Sequence, residues 1–167
     1  MISVDFVRTM ARYNQWQNQS LCGAADTLAA DERLRNRGAF FSSIHGTLSH
    51  ILWGDQQWMS RFAPTIVSKP PALVRESPGN YPDWADLKAR RVACDRTILD
   101  WADGLAPDWL DGDLLWYSGA MKADVAKPKW LTVAHFFNHQ THHRGQVHAM
   151  LTAAGAKPDD TDLFLMA

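Results

Sequence analysis

The chain has only two cysteines in 167 residues, Cys22 and Cys94, and they stand far apart in no Cys-x-x-Cys pattern. That scarcity excludes a disulfide framework and a cysteine-rich metal knuckle. Each cysteine lies in a helical apolar pattern, so buried, reduced thiols are expected. No run approaches the roughly 18 uncharged apolar residues that a membrane-spanning helix needs. The first residues, with Asp5, Arg8 and Arg12, hold no apolar signal-peptide core. The cytoplasm is the expected compartment, with no membrane partner. Charge of one sign is also missing: the formal net charge is −1, which gives no electrostatic footprint for nucleic acid. The most basic short run, Lys88 to Arg91, is broken by Ala89 on a helical segment and reads as a solvated face. A Gly-rich phosphate loop, a nucleophile elbow and a Ser-His-Asp order are all absent. Internal repeats and low-complexity segments are absent too, so residues 1–167 are expected to form a single domain.

What the chain has in abundance is tryptophan and clustered histidine. Eight tryptophans favour well-filled helix interfaces or an aromatic-lined pocket. Five of the seven histidines fall between His135 and His148. The residues around them, Leu131 to Ala154, contain no proline and read as one helix of about six turns. Residues four apart share a helix face, so His135, His139 and His143 form a ladder, with His142 beside it and Gln146 continuing it. Neutral imidazoles at that spacing can chelate one ion of the zinc, nickel, copper or iron type. A solvated polar stripe is the alternative, and five histidines within fourteen residues weigh against it.

In chain order, a first helix is expected from about Val4 to Ala29, capped by Ser3. Its inner stripe is interrupted by Asn14 and Gln17, amides that must find interhelical hydrogen bonds or orient a ligand. Asp31 to Arg37 reads as a connector with one helical turn. A second helix is expected from about Ser42 to Phe62. Its stripe of Ile44, Leu48, Ile51, Asp55, Trp58 and Phe62 leaves His50 to one side, and periodicity ranks His45 at least level with it. The stripe of the histidine-rich helix is offset likewise, which places the histidines at one accessible side of the molecule. Residues 63–82 hold five of the eight prolines and read as a long loop without regular structure, either a plain crossover or a pocket wall. A third helix opens at Asp83 and ends before Gly104. Leu114–Tyr117 and Ala123–Val125 are expected to pair as a short β-hairpin. The last helix follows Pro128 and stops at Gly155, with Gly145 expected to be compensated by close approach of another backbone. The apolar tail, Leu163 to Met166, is expected to dock on the body or on a partner subunit.

The run Asn138-His139-Gln140-Thr141-His142-His143-Arg144-Gly145-Gln146-Val147 resembles the fourth-helix signature of the DinB family, the DNA-damage-inducible, YfiT-like metalloenzymes. Leu48-Ser49-His50-Ile51-Leu52-Trp53-Gly54-Asp55 resembles its second-helix motif, and Tyr13 to Asn18 its opening helix. The resemblance implies an all-α four-helix bundle of up-down-down-up order. It implies His50, His139 and His143 as ligands of a divalent ion, zinc or nickel, and only it chooses His50 over His45. It implies thiol-dependent transferase or isomerase chemistry on a small molecule, with a low-molecular-weight thiol as partner. A homodimer is expected because eight tryptophans, the hairpin and the apolar tail leave more apolar surface than a monomer usually shows, and the resemblance agrees with it. Three neutral histidines leave an open coordination position that favours an anion, hydroxide or thiolate. The alternatives are therefore a metal-dependent hydrolase and a non-catalytic metal-binding stress-response protein. His142 and Arg144 are the candidate catalytic neighbours. The residues flanking the ligands include no carboxylate, which tilts the expectation toward thiolate.

Overall fold

A computed structural model describes residues 1–70, 73–119 and 121–166. Pro71 and Ala72 of the proline-rich connection, Ala120 at the expected hairpin turn and Ala167 of the tail lie outside the described residues. The protein is mostly helical, with one small antiparallel sheet. Helix α1 spans Val4–Asp26, and the Ser3 hydroxyl accepts from the Phe6 N–H at 3.1 Å, the expected cap. It ends three residues early because Thr27 turns its own N–H and hydroxyl back onto Ala24. A short helix α2, Ala30–Leu34, fills the connector. Helix α3 covers Ile44–Phe62. Ser42 is not its start: at φ 66° it sits in the left-handed region, and Ser43 caps instead, accepting from Gly46 N–H at 3.0 Å.

The 63–82 connection is not without regular structure. Val74–Gly79 forms a 3-10 turn packed against α3, with Ser77 fully buried. Helix α4, Trp84–Asp103, opens on Asp83, whose carboxylate accepts from Asp86 N–H at 2.7 Å, and is capped by Gly104. The hairpin is present: β1 (Asp113–Ser118) pairs with β2 (Ala123–Pro128), Leu114 opposite Lys127 and Trp116 opposite Val125. An isolated hairpin is marginal in water, and this one rests on α3 and α5, the last helix, Lys129–Ala153.

Helices α1 and α3 each pack against both α4 and α5. Leu21, Ile51, Ile98, Phe136 and Leu151 fill the space between them. At one end the Phe62 ring stacks on Trp101 (5.3 Å, 11°) and meets Trp109 and Phe136 edge-on. Aromatic pairs in these geometries add to simple area burial. That end accounts for part of the tryptophan content.

The core also carries charge. Arg91 of α4 reaches Asp55 of α3 at 2.6 Å and Asp95 at 2.8 Å. Asn14 and Asn18 of α1 donate to Asp95, Gln140 of α5 donates to Asp55, and Arg144 donates to Asn14. Two carboxylates thus face two guanidinium groups, and all four helices contribute. Burial opposes charge on Arg91, but the Asp95, Cys94 and Asp55 groups outweigh it and hold its pKa well above the ordinary value. Asn14 therefore makes the interhelical bonds expected of it. Gln17 does not: its amide donates to the Asp160 carbonyl of the tail at 2.9 Å.

The tail docks through its backbone, with Tyr13 donating to Thr161 O at 2.6 Å. Its apolar side chains do not dock on the body, since Leu163, Phe164 and Leu165 remain exposed. Gly145 also departs from expectation. No backbone approaches it, and a Cβ there would meet nothing within 4 Å. Among the described residues, no helix is long and apolar enough to cross a membrane.

Candidate metal centre

His50 projects from α3, and His139 and His143 project from successive turns of α5. One ring nitrogen from each lies within 4.8 Å of the others. The His50 and His139 Nε2 atoms face each other at 3.2 Å. Two nitrogens bound tetrahedrally to one ion at about 2.0–2.1 Å stand about 3.4 Å apart, so the spacing fits a shared ion. The His143 ring centroid is 4.7 Å from that of His50 and 4.5 Å from that of His139.

The hydrogen-bond partners decide the tautomers. The Ser77 hydroxyl donates to Val74 O at 2.5 Å, so its oxygen accepts from His50 Nδ1–H at 2.8 Å. His50 Nε2 is then a bare lone pair turned toward His139. The Ser77 carbonyl also accepts from the Ser49 hydroxyl at 2.6 Å, fixing the 3-10 turn to α3 beside His50. Gln146 does the same for His143. Its Oε1 accepts from Nδ1–H at 2.9 Å and leaves Nε2 free. Partners of this kind orient ligand rings and raise their basicity.

Burial keeps the rings neutral, the form that ligates. It pushes His50 down to about 3, aided by His139 and His143, and His139 down to about 4, aided by its three neighbouring histidines. Burial lowers His143 as well. Phe41 stacks on His50 at 3.7 Å and lies 5.4 Å from His143. The centre is therefore less open than the offset stripes suggest. His50 is 3% exposed and His143 8%, and His139 is the most accessible of the three. Gly54 makes room for it: a Cβ at that position would sit 3.0 Å from His139 Cε1.

The other sequence candidates lie elsewhere or one step removed. His45 donates to the Tyr81 carbonyl at 2.7 Å and packs on Trp84, away from the centre. His135 sits one turn along from His139, with ring centroids 5.9 Å apart. His142 is exposed and 4.8 Å from His143, and Gln146 Nε2 donates to its Nε2 at 3.3 Å. Arg144 is not brought to the centre; it is buried against Asn14 and the Tyr13 ring, and burial lowers it to about 10. The nearest turn of α3 carries Asp55, engaged by Arg91 and Gln140. Sequence reading missed Ser77, Phe41 and Gly54. Ser77 and Phe41 stand in stretches without periodicity. Gly54 had one available signal, a mid-helix glycine one turn after His50.

In this helical protein three histidines from two facing helices converge closely enough to hold one metal ion, with no carboxylate in the group. The sequence profile of the DinB family matches residues 2–167, so the chain belongs to that family. It is 28% identical over 169 residues to Protein DinB of Bacillus subtilis (strain 168), an alignment covering 96% of this chain and 94% of the relative. No solved structure matches the chain significantly.

Proposed function

We propose that this chain is a metal-dependent enzyme in which His50, His139 and His143 hold one divalent ion, zinc or nickel. In this reading it catalyses a thiol-dependent transfer or isomerisation on a small molecule. The observation that carries the reading is the convergence of three neutral imidazoles, with no carboxylate in the group among the described residues. When bound, such an ion supplies Lewis-acid chemistry at one open position. The chain's own residues do the rest. Ser77 and Gln146 hold the Nδ1 protons and aim the Nε2 lone pairs of His50 and His143. Phe41 covers His50 and excludes water from that side. Exposed His142, joined to His143 through Gln146, is the group able to exchange a proton with a substrate.

Neutral donors leave the ion's charge uncompensated, which favours an anionic fourth ligand. A hydrolase would place a free carboxylate close by as base, and Asp55 is committed to Arg91 and Gln140. Thiolate is therefore favoured over activated water, with His142 the base left to the hydrolase alternative. Adding cysteine or 2-mercaptoethanol to the Co²⁺-substituted protein should produce a sulfur-to-metal charge-transfer band. An unperturbed spectrum alongside turnover of simple esters would replace this reading with the hydrolase.

The same reading takes α1, α3, α4 and α5 as a single-domain bundle of up-down-down-up order. Its support is that Asp26 and Arg8 of α1 meet Lys88 and the Asp103 carbonyl of α4, while His50 and Trp58 of α3 meet His143 and His135 of α5. It also includes a homodimer in the cytoplasm, with no nucleic-acid partner. Exposed Phe40, Leu115, Tyr117 and Phe164 support the dimer. Light scattering giving 18.8 kDa across micromolar concentrations would exclude it.

A further inference from the structure

The α3–α5 seam continues past the three histidines. Trp58, one turn beyond Gly54, packs its ring 5.1 Å from His135, which stands next to His139. Trp116 of β1 meets Trp58 edge-on at 5.7 Å. Over both indoles lies the Arg61 guanidinium, 4.5 Å from Trp58 and 5.3 Å from Trp116. Among the described residues Arg61 makes no ion pair and no hydrogen bond, and only the two rings hold it. Most other arginines here have an acidic partner: Arg8, Arg35, Arg37, Arg90, Arg91 and Arg96 all do. Arg61 is partly buried, and burial alone lowers its pKa; no carboxylate acts on it. A half-desolvated cation without an anion is costly, and a planar guanidinium is shaped for bidentate oxyanion recognition.

Resting on the metal-centre reading above, we infer that Arg61 is a specificity-determining residue. It binds a carboxylate or phosphate at the far end of a substrate whose reacting end lies at the three histidines. Trp58 and Trp116 form the wall along which the intervening atoms lie. Seven residues of α3 separate Gly54, against which His139 rests, from Arg61, about 10 Å of helix at 1.5 Å per residue. The Arg61 guanidinium folds back over Trp58, so a ligand series must bracket that rise.

The test titrates linear α,ω-dicarboxylates of increasing length, and monocarboxylates of matching length, into Co²⁺-loaded full-length protein, followed by visible absorption. One carboxylate takes the open position and the other reaches Arg61. The best-matched dicarboxylate of the series should bind about tenfold or more tighter than its monocarboxylate, the factor expected of a charge-assisted hydrogen bond. Arg61→Met should abolish the preference and Arg61→Lys should retain part of it. A parallel series ending in a phosphonate tells which oxyanion is preferred. If Arg61 only clamps the hairpin, Arg61→Met lowers the melting temperature and leaves the preference intact, which overturns the inference. Equal binding of both series to the wild type overturns it too, even if Arg61→Met fails to fold. Failure of the wild type to take up Co²⁺ would be distinct, removing the metal reading and this inference with it.

Discussion

At the scale of single residues, His139 of α5 and His45 of α3 separate cleanly. His139→Ala removes one of the three proposed ligands and should strip the metal, as elemental analysis of the purified variant would show. His45→Ala should keep full metal occupancy while losing stability of about 1–3 kcal/mol, because it leaves the buried Tyr81 carbonyl without its donor. An emptied site in His45→Ala would mean that the ligand set is wrong. Ser77 tests the tautomer argument. Without its oxygen, His50 Nδ1–H has no acceptor, and the ring is free to present the wrong nitrogen. Ser77→Ala should weaken metal affinity by about 10- to 100-fold, with Ser77→Thr recovering much of it. Unchanged affinity in a chelator competition would sink that role.

At the scale of elements, two mid-helix glycines look alike in sequence and differ in space. Each should cost its helix about 1 kcal/mol relative to alanine. Gly54 of α3 faces His139, so Gly54→Ala pushes a methyl against Cε1 and should loosen the metal. Gly145 of α5 faces open space, so Gly145→Ala should stabilise the fold by about 1 kcal/mol and leave metal affinity alone. Denaturant midpoints and metal titrations of the two variants give opposite patterns if this is right. The same element view explains why periodicity could not choose between His45 and His50. Every residue of α3 from Ile44 to Asp55 is buried, enclosed by α2, α4, α5, the hairpin and the 3-10 turn. A helix covered on all sides has no outer face for a stripe to contrast with.

At the scale of the whole molecule, the Asp55–Arg91–Asp95 group ties α3 to α4 and, through Asn14 and Asn18, to α1. Removing one member leaves a buried charge uncompensated. Arg91→Met should therefore cost about 3–5 kcal/mol in chemical denaturation, and a loss under 1 kcal/mol would argue that water, not protein, solvates the carboxylates. The two thiols set the alkaline limit. Burial raises Cys22 from 9.0 to about 11 and Cys94 to about 12. A raised folded-state pKa contributes stability that is complete below the unfolded value and lost as pH rises through the folded one. The denaturant midpoint should therefore fall between pH 9 and about 12, and Cys94→Ala should flatten that slope.

Local chemistry along the chain determined a good deal. The caps at Ser3 and Asp83, the hairpin pairing and the helical run carrying His139 and His143 all depend on neighbours a few residues away, so they are legible from spacing alone. Periodicity left His45 and His50 level and only the family resemblance chose His50; the tertiary structure brings that histidine to His139, which depends on how two helices 89 residues apart in sequence at these positions are rotated against each other. The roles of Ser77, Phe41 and Gly54, and the burial of Arg144, were settled the same way. A hydrogen bond across 27 residues, a stacked ring or a missing methyl leaves no period in the sequence. These contacts exist only once the helices have packed.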